Sequence, residues 1–304
     1  MIVTGRFWVA ARGRPRPCRY LEVFPPRLAA RVDTILGDPF APRSFSLIAI
    51  HKHEIPHVFS DAVLAEAERV ARQKLGERED LTHVPIVAID PADARDHDDA
   101  VWAEADDDPD NAGGWKALVA IADVSFYVRP GSALDKEARK RGNSVYFPDR
   151  VVPMLPEVLS ADVCSLKQGE DRAALVCHLQ VTKAGALKSW RFTRARVRIA
   201  ANIAYEDAQA MIDGDERVEV ASSPCAMPEV EGTILDRLKP LWACWRALYK
   251  AREKRGPLEL DLPERRVMLD EKGRIVSVAP RERLDAHKLI EDYMIAANVA
   301  AAKA

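Results

Sequence analysis

The chain has little cysteine: five residues in 304 (Cys18, Cys164, Cys177, Cys225 and Cys244), odd in number, widely spaced and without a C-x-x-C. That spacing implies no disulfide or zinc framework, and it suits reduced, mostly buried thiols of a cytoplasmic protein. Long apolar runs are missing too. Nothing approaches the roughly 20 consecutive apolar residues that span a bilayer, and the start does not read as a signal peptide, so no membrane partner is expected. An excess of one charge is also absent, since 45 Lys and Arg stand against 47 Asp and Glu for a net charge of −2. A polyanionic partner would therefore be held by local basic patches and not by bulk charge. What is present, 48% apolar and 30% charged residues, is ordinary for a soluble globular protein.

Along the chain the pattern is mixed. Residues 1–57 are rich in Pro and Arg with short β-like pieces, "GRFWVAA" and "SFSLIAI", and a basic run, "ARGRPRPCR", that reads as a solvated linker or a nucleic-acid contact. "SDAVLAEAERVARQKL" has a helical apolar period with Ser60 as N-cap, and Gly76 follows it. "VPIVAID", "DAVWAE" and "WKALVAIADV" read as strands, joined by "ADDDPDNAGG", whose turn formers suit a solvated loop. "SALDKEARKRGN" reads as a helix, "RAALVCHLQVT" and "ALKSWRFTRARVRI" as a hairpin, and 204–213, 230–254 and 284–303 as helices, with a hairpin in "RRVMLDEKGRIVSVA". The class is α+β with a largely antiparallel sheet.

"HEIPH", His53 to His57, matches the H-E-x-x-H zinc pattern, which works only where both His share one helix face. Pro56 in the interior of such a helix would cost about 3 kcal/mol, so a loop is expected and a metalloprotease is not.

The densest feature is "AIDPADARDHDDAVW", residues 88–102, which holds Asp90, Asp93, Asp96, Asp98 and Asp99 within ten positions. Carboxylates this close repel, and each loses hydration if drawn inward. An acidic surface turn is one reading. The apolar runs on both sides favour the other, an oxygen cage for a hard cation with Asp90 at a strand end. Asp96-x-Asp98-x-Ala100 does not continue as an EF-hand loop. Metal-assisted phosphoryl chemistry follows from this cluster, without separating nuclease, polymerase and phosphatase.

The stretch "LTHVPIVAIDPADARDHDDAV" resembles the signature of the RNase II/RNase R (RNB-domain) 3′→5′ exoribonucleases. The resemblance continues through "VAIADVSFYVRPGSALDKEARKRGNSVYFPDRVVPMLPEVLSADVCSL", "RFTRARVRIAANIAYEDAQAMI" and "DAHKLIEDYMIAANVAAA". It is nearest to the RNase R branch. It implies that Asp90, Asp96, Asp98 and Asp99 hold catalytic Mg²⁺, with Mn²⁺ as a substitute, and that Asp98 and Asp99 carry the chemistry, Asp98 most of all. It further implies that Tyr146 stacks on RNA bases, that Tyr205 clamps the 3′-terminal nucleotide, and that Glu291 lines the same pocket. The partner implied is single-stranded RNA, released as nucleoside 5′-monophosphates. The organisation implied is a partial cold-shock or OB-like module over 1–57, a helical linker over 58–77, and the N-terminal portion of an RNB catalytic domain over 78–304.

Alternation places Arg194, Arg196 and Arg198 on one strand face with Trp190 and Phe192, which suits either RNA or a charged edge strand. His97 stands inside the Asp cluster where the family more often has an apolar or aromatic residue, and "EADDDPDN" reads as a harmless longer loop. The chain ends at "AANVAAAKA", where the resemblance places the middle of such a domain. The later arginine motif and the S1 domain do not follow. The expectation is a partial chain with weak activity alone, an RNA-binding fragment or half that needs a complementing C-terminal chain.

Overall fold

A computed structural model describes residues 6–11, 14–24, 27–32, 41, 43–214, 232–258, 265–280 and 282–304, giving for residues 6–32 the backbone course only. Cys225 and the side chain of Cys18 lie outside the described residues. In chain order the elements begin with β1 (Arg6–Ala11), β2 (Arg14–Phe24), β3 (Arg27–Val32), α1 (Ser44–Lys52), α2 (Asp61–Ala71), β4 (Glu79–Asp90) and β5 (Asp99–Ala105). They continue with β6 (Trp115–Ala122), α3 (Val124–Tyr127), α4 (Ala133–Arg141), β7 (Val145–Phe147), β8 (Arg150–Val152) and β9 (Asp171–Val181). The last are β10 (Leu187–Ala204), α5 (Tyr205–Asp213), α6 (Ile234–Glu253), β11 (Arg265–Leu269), β12 (Ile275–Pro280) and α7 (Asp285–Lys303). Among the described residues no helix is long and apolar enough to cross a membrane.

The chain divides into two units. One takes Met1–Leu64, Ala133–Leu155 and Leu262–Arg281. In it β1, β2 and β3 form an antiparallel sheet in sequence order, and β7–β8 and β11–β12 are antiparallel hairpins. "SFSLIAI", expected to be β-like, is instead the body of helix α1. Its local alternation is overridden by tertiary contact: Ser46 and Ile50, one turn apart, are both buried, and the Ser46 hydroxyl donates to Asp149 at 2.8 Å. The helix ends at His53, Glu54 takes a φ of 55°, and Ile55 to His57 run on as loop. The two His of "HEIPH" therefore share no helix face.

The second unit takes Ala65–Ser132, Pro156–Asp261 and Glu282–Ala304. Its centre is a closed five-stranded barrel in the order β10-β4-β5-β6-β9, antiparallel except where β10 runs parallel to β4. Residues Ile86 to Ile89 of β4 are all buried, because both faces of the strand are covered. Val87, Ile89, Val101 and Val119 pack outward under α5, α6 and α7. Their alternates Ile86, Ala88, Ala100 and Ala120, each 0% exposed, turn the other way into the barrel. Helix α6 starts on a capping box, the Thr233 amide donating to Asp236 at 2.9 Å, and buries Leu238, Leu241, Trp242, Trp245 and Leu248 along one stripe. Cys164, Cys177 and Cys244 are buried free thiols, each held well above the usual thiol range by burial.

The acidic loop between β5 and β6 is largely exposed, as its composition suggests, but Asp106, Asn111 and Gly114 anchor it. The Asp106 side chain is 0% exposed and accepts from Asn111 and Gln180, each at 2.8 Å. Asn111 is itself buried and donates to the Val181 carbonyl at 3.1 Å. A Cβ on Gly114 would stand 2.3 Å from the Asn111 amide nitrogen and 2.5 Å from the Val181 oxygen. The extra residues are stitched onto the barrel, because a buried amide must find partners.

Candidate active site at the ends of β4 and β10

Asp90 is the last residue of β4 and Asp99 the first of β5, with Asp96, His97 and Asp98 in the turn between. The parallel pairing of β10 with β4 matches Ala204 to Asp90, so the next residue, Tyr205, opens helix α5 beside the acidic turn. The turn is fastened to the segment before β9. The His97 amide donates to the buried Ser165 hydroxyl at 3.0 Å, and the His97 carbonyl accepts from Leu166 at 2.8 Å. Asn202 of β10 holds the same segment, accepting from the Gln168 amide at 2.6 Å and donating to the Leu166 carbonyl at 3.0 Å. On the other side the Asp98 carbonyl accepts from Ala122 at 2.8 Å.

The carboxylates are held against their own repulsion. Burial, with Asp90 and Asp98 nearby, pushes the Asp99 carboxyl up to about 7. Asp98 is solvent-exposed, yet the crowding of the chain around it, with Asp96 and Asp90, raises it as well. Asp93 is exposed and is not among the charges that raise either group. Among the described residues no Lys or Arg lowers Asp98 or Asp99, and His97 acts in the opposite sense to the carboxylates. An all-oxygen donor set with uncompensated negative charge fits a hard divalent cation. Among the described residues no three His, Cys, Asp or Glu side chains close on one point as a ready cage. Repelling carboxylates favour that spacing, and Mg²⁺, which keeps several waters, needs only one or two of them directly.

Tyr205 stacks on His287 of α7, with ring centroids 4.1 Å apart and planes 16° from parallel. The Gln209 side chain accepts from the Ala286 amide at 3.0 Å and ties the start of α7 to α5. His287 is a candidate site residue by this stack alone. Its spacing of four from Glu291, one helix face, was the available signal. Glu291 is half exposed and pairs with Arg283. Its neighbour Asp292 points the other way, 3% exposed, accepting from Trp245 Nε1 at 2.9 Å and Arg252 Nη1 at 2.7 Å. The sequence-expected residues Asp90, Asp96, Asp98, Asp99, Tyr205 and Glu291 thus all belong to the barrel unit. Tyr146 belongs to the other unit, on the β7–β8 hairpin, and is 64% exposed.

The arginines of β10 answer to protein, and β10 is not an edge strand, since β9 and β4 flank it. Arg191 forms a fork on Glu79 at 2.9 and 3.0 Å. Arg194 donates to Asp123, Arg196 to Asp80 and Arg198 to Asp171, each at 2.7 Å. Trp190 and Phe192 pack against the helix-covered core.

Comparison with known proteins agrees with this geometry. The RNB domain family matches residues 78–304. A ribonuclease R of Vibrio parahaemolyticus is 41% identical over 279 residues, which are 90% of this chain and 32% of that protein, so the chain spans well under half of the relative's length. The structure of Mycoplasma genitalium RNase R in complex with ribose-methylated single-stranded RNA superposes with a TM-score of 0.83 at 25% identity, over 94% of this chain and 43% of that one. The same protein in complex with double-stranded RNA also gives 0.83 at 25% identity, over 94% of this chain and 49% of that one. With a family match over most of its length and the matching fold, the chain belongs to the RNB-domain family.

Proposed function

We propose that this chain is part of a 3′→5′ exoribonuclease of the RNase R kind, which hydrolyses single-stranded RNA to nucleoside 5′-monophosphates with Mg²⁺, or Mn²⁺ in its place. The observation that carries the reading is the acidic turn itself. Burial with the charges of Asp96 and Asp90 raises Asp98, and burial with Asp90 and Asp98 raises Asp99, beside an aromatic stack. Asp90, Asp96, Asp98 and Asp99 would hold the cation, and Asp98 with Asp99 would stand nearest the chemistry. Bound there, Mg²⁺ would activate a water and offset charge on the scissile phosphate. Tyr205, next to the residue paired with Asp90, would offer a π-face to the terminal base, and Tyr146 offers an exposed ring. Neither ring reads sequence, because every base has such a face. The buried free thiols suit the cytoplasm.

A second reading, RNA holding with little turnover, draws on a different observation. Arg191, Arg194, Arg196 and Arg198 are each committed to a carboxylate, so β10 supplies no uncommitted guanidinium to a scissile phosphate. Positive charge on that group is commonly worth orders of magnitude in rate.

One experiment separates the two: 5′-labelled single-stranded RNA, with Mg²⁺ or with EDTA, beside the Asp98→Asn variant. A metal-dependent ladder receding from the 3′ end, lost in the variant, supports the nuclease. Salt-sensitive binding without shortening supports the holding role.

A further inference from the structure

His97 offers chemistry that the acidic turn does not require for its charge or its spacing. Its Nδ1 lies 2.7 Å from Asp90 Oδ2, a short and well-formed contact between two half-buried side chains, 18% and 15% exposed. The backbone of His97 is clamped on both sides, by Ser165 through its amide and by Leu166 through its carbonyl, and both of those residues are 0% exposed. The imidazole is therefore delivered to Asp90 by a rigid segment. Asp90 in turn ends β4, whose preceding residues Ala88 and Ile89 are 0% and 1% exposed, so its own backbone has little freedom.

We infer that His97 is a positioning residue for the cation site, one that selects which oxygen of Asp90 faces the metal. The inference rests on the metal-holding role proposed above for Asp90. Nδ1 faces Oδ2, and a proton carried on Nδ1 is donated to that oxygen and commits one of its lone pairs. Oδ1 would then be the oxygen turned toward the cation, with Asp90 held in one orientation by the contact on Oδ2. An unanchored carboxylate rotates about χ2 and loses that entropy each time it binds. Outer partners of metal-binding carboxylates that act in this way typically contribute about 10- to 100-fold in metal affinity or activity. A side chain without a donor at position 97 could fill the same space but could not hold the carboxylate.

The test is direct titration with Mn²⁺, followed by the electron paramagnetic resonance signal of the free ion, on the wild-type chain and the His97→Phe, His97→Asn and Asp90→Asn variants. Thermal unfolding in EDTA accompanies each. His97→Phe is expected to weaken Mn²⁺ binding about tenfold while unfolding at the wild-type temperature in EDTA. His97→Asn, whose amide nitrogen stands where Nδ1 stood, is expected to restore most of that affinity. Nitrogen NMR of the wild-type imidazole should show the proton on Nδ1. Equal binding by wild type and His97→Phe, with Asp90→Asn impaired, overturns the role of His97 and leaves the metal site standing. Equal losses in His97→Phe and His97→Asn also overturn it, because packing and not the donated proton would then matter. Wild-type binding that is absent, or unchanged in Asp90→Asn, overturns the metal-holding reading and this inference with it.

Discussion

The rings of Tyr205 and His287 lie stacked, 4.1 Å between centroids and 16° from parallel, one at the first residue of α5 and the other in the first turn of α7. The stack gives Tyr205 one covered face and a defined orientation before any base arrives. Base–aromatic stacking is worth about 1–3 kcal/mol. Tyr205→Ala should therefore weaken binding of a short single-stranded RNA by about 5- to 150-fold, as measured by fluorescence anisotropy at fixed salt. His287→Ala should cost less and act on the orientation of Tyr205, with no further loss when added to Tyr205→Ala. Additive losses would mean that His287 meets RNA by itself.

The acidic turn should be a source of instability without a cation. In EDTA, Asp99→Asn removes a charge that Asp90 and Asp98 repel, and the variant should unfold later than wild type by about 1 kcal/mol in denaturant titration. In Mg²⁺ the order should reverse, since a ligand that binds only the folded state stabilises it. An Asp99→Asn chain that is less stable in EDTA would show the turn to be held by something other than the balance of its charges.

Asp292 should be structural where its neighbour Glu291 is not. Removing one partner of a buried ion pair typically costs about 3–5 kcal/mol. Asp292→Ala, which removes the carboxylate that Arg252 and the Trp245 indole donate to, should fall in that range by urea unfolding, and Glu291→Ala within about 0.5 kcal/mol of wild type.

The loop between β5 and β6 should resist change despite its polar composition. Asn111→Ala leaves the Asp106 carboxylate and the Val181 carbonyl each short of a donor and should cost about 1–3 kcal/mol. Gly114→Ala should cost at least as much, because its Cβ meets backbone and a packed amide. Neutral outcomes in both would return the loop to a solvated turn.

The parallel seam of the barrel should be sensitive to acid. The Arg191 guanidinium bonded to Glu79 holds its carboxyl at about 2, below the ordinary 4.5. A carboxyl depressed in the folded state stabilises it above the unfolded value and loses that contribution as pH falls from about 4.5 to about 2. The pair is partly exposed, so the contribution should stay below about 1 kcal/mol. Urea midpoints of wild type and Glu79→Gln should therefore converge as the pH is lowered through that window. Parallel curves would mean that Glu79 contributes nothing specific at the seam.

Much of this molecule is legible in order and in kind. The apolar period that marks α2, α5, α6 and α7 and the turn chemistry of the β9–β10 and β11–β12 hairpins are local properties, and local sequence carries them. "SFSLIAI" is the counterexample. Its strand-like alternation gives way to a helix that buries Ser46 and Ile50 on one face, with Ser46 bonded to Asp149, 103 residues away. The arginines of β10 show the same limit, since alternation placed them on one face but could not reveal that Asp80, Asp123 and Asp171 would receive them.

By itself the sequence marked the candidate site, because a run holding Asp90, Asp96, Asp98 and Asp99 between two apolar strands crowds carboxylates where they repel and lose hydration. Only the tertiary structure decided what stands around it. Closing the barrel by a parallel β10–β4 pair is a contact between residues more than 100 apart, and it is this pairing that brings Tyr205 to Asp90. The choice between Glu291 and Asp292, adjacent acids of similar kind, was made by Trp245 and Arg252 on another helix. That the ring of His97 lies against Asp90 depends on Ser165 and Leu166 holding the backbone of His97. Each of these depends on burial and partners distant along the chain, and residue pattern carries no record of those.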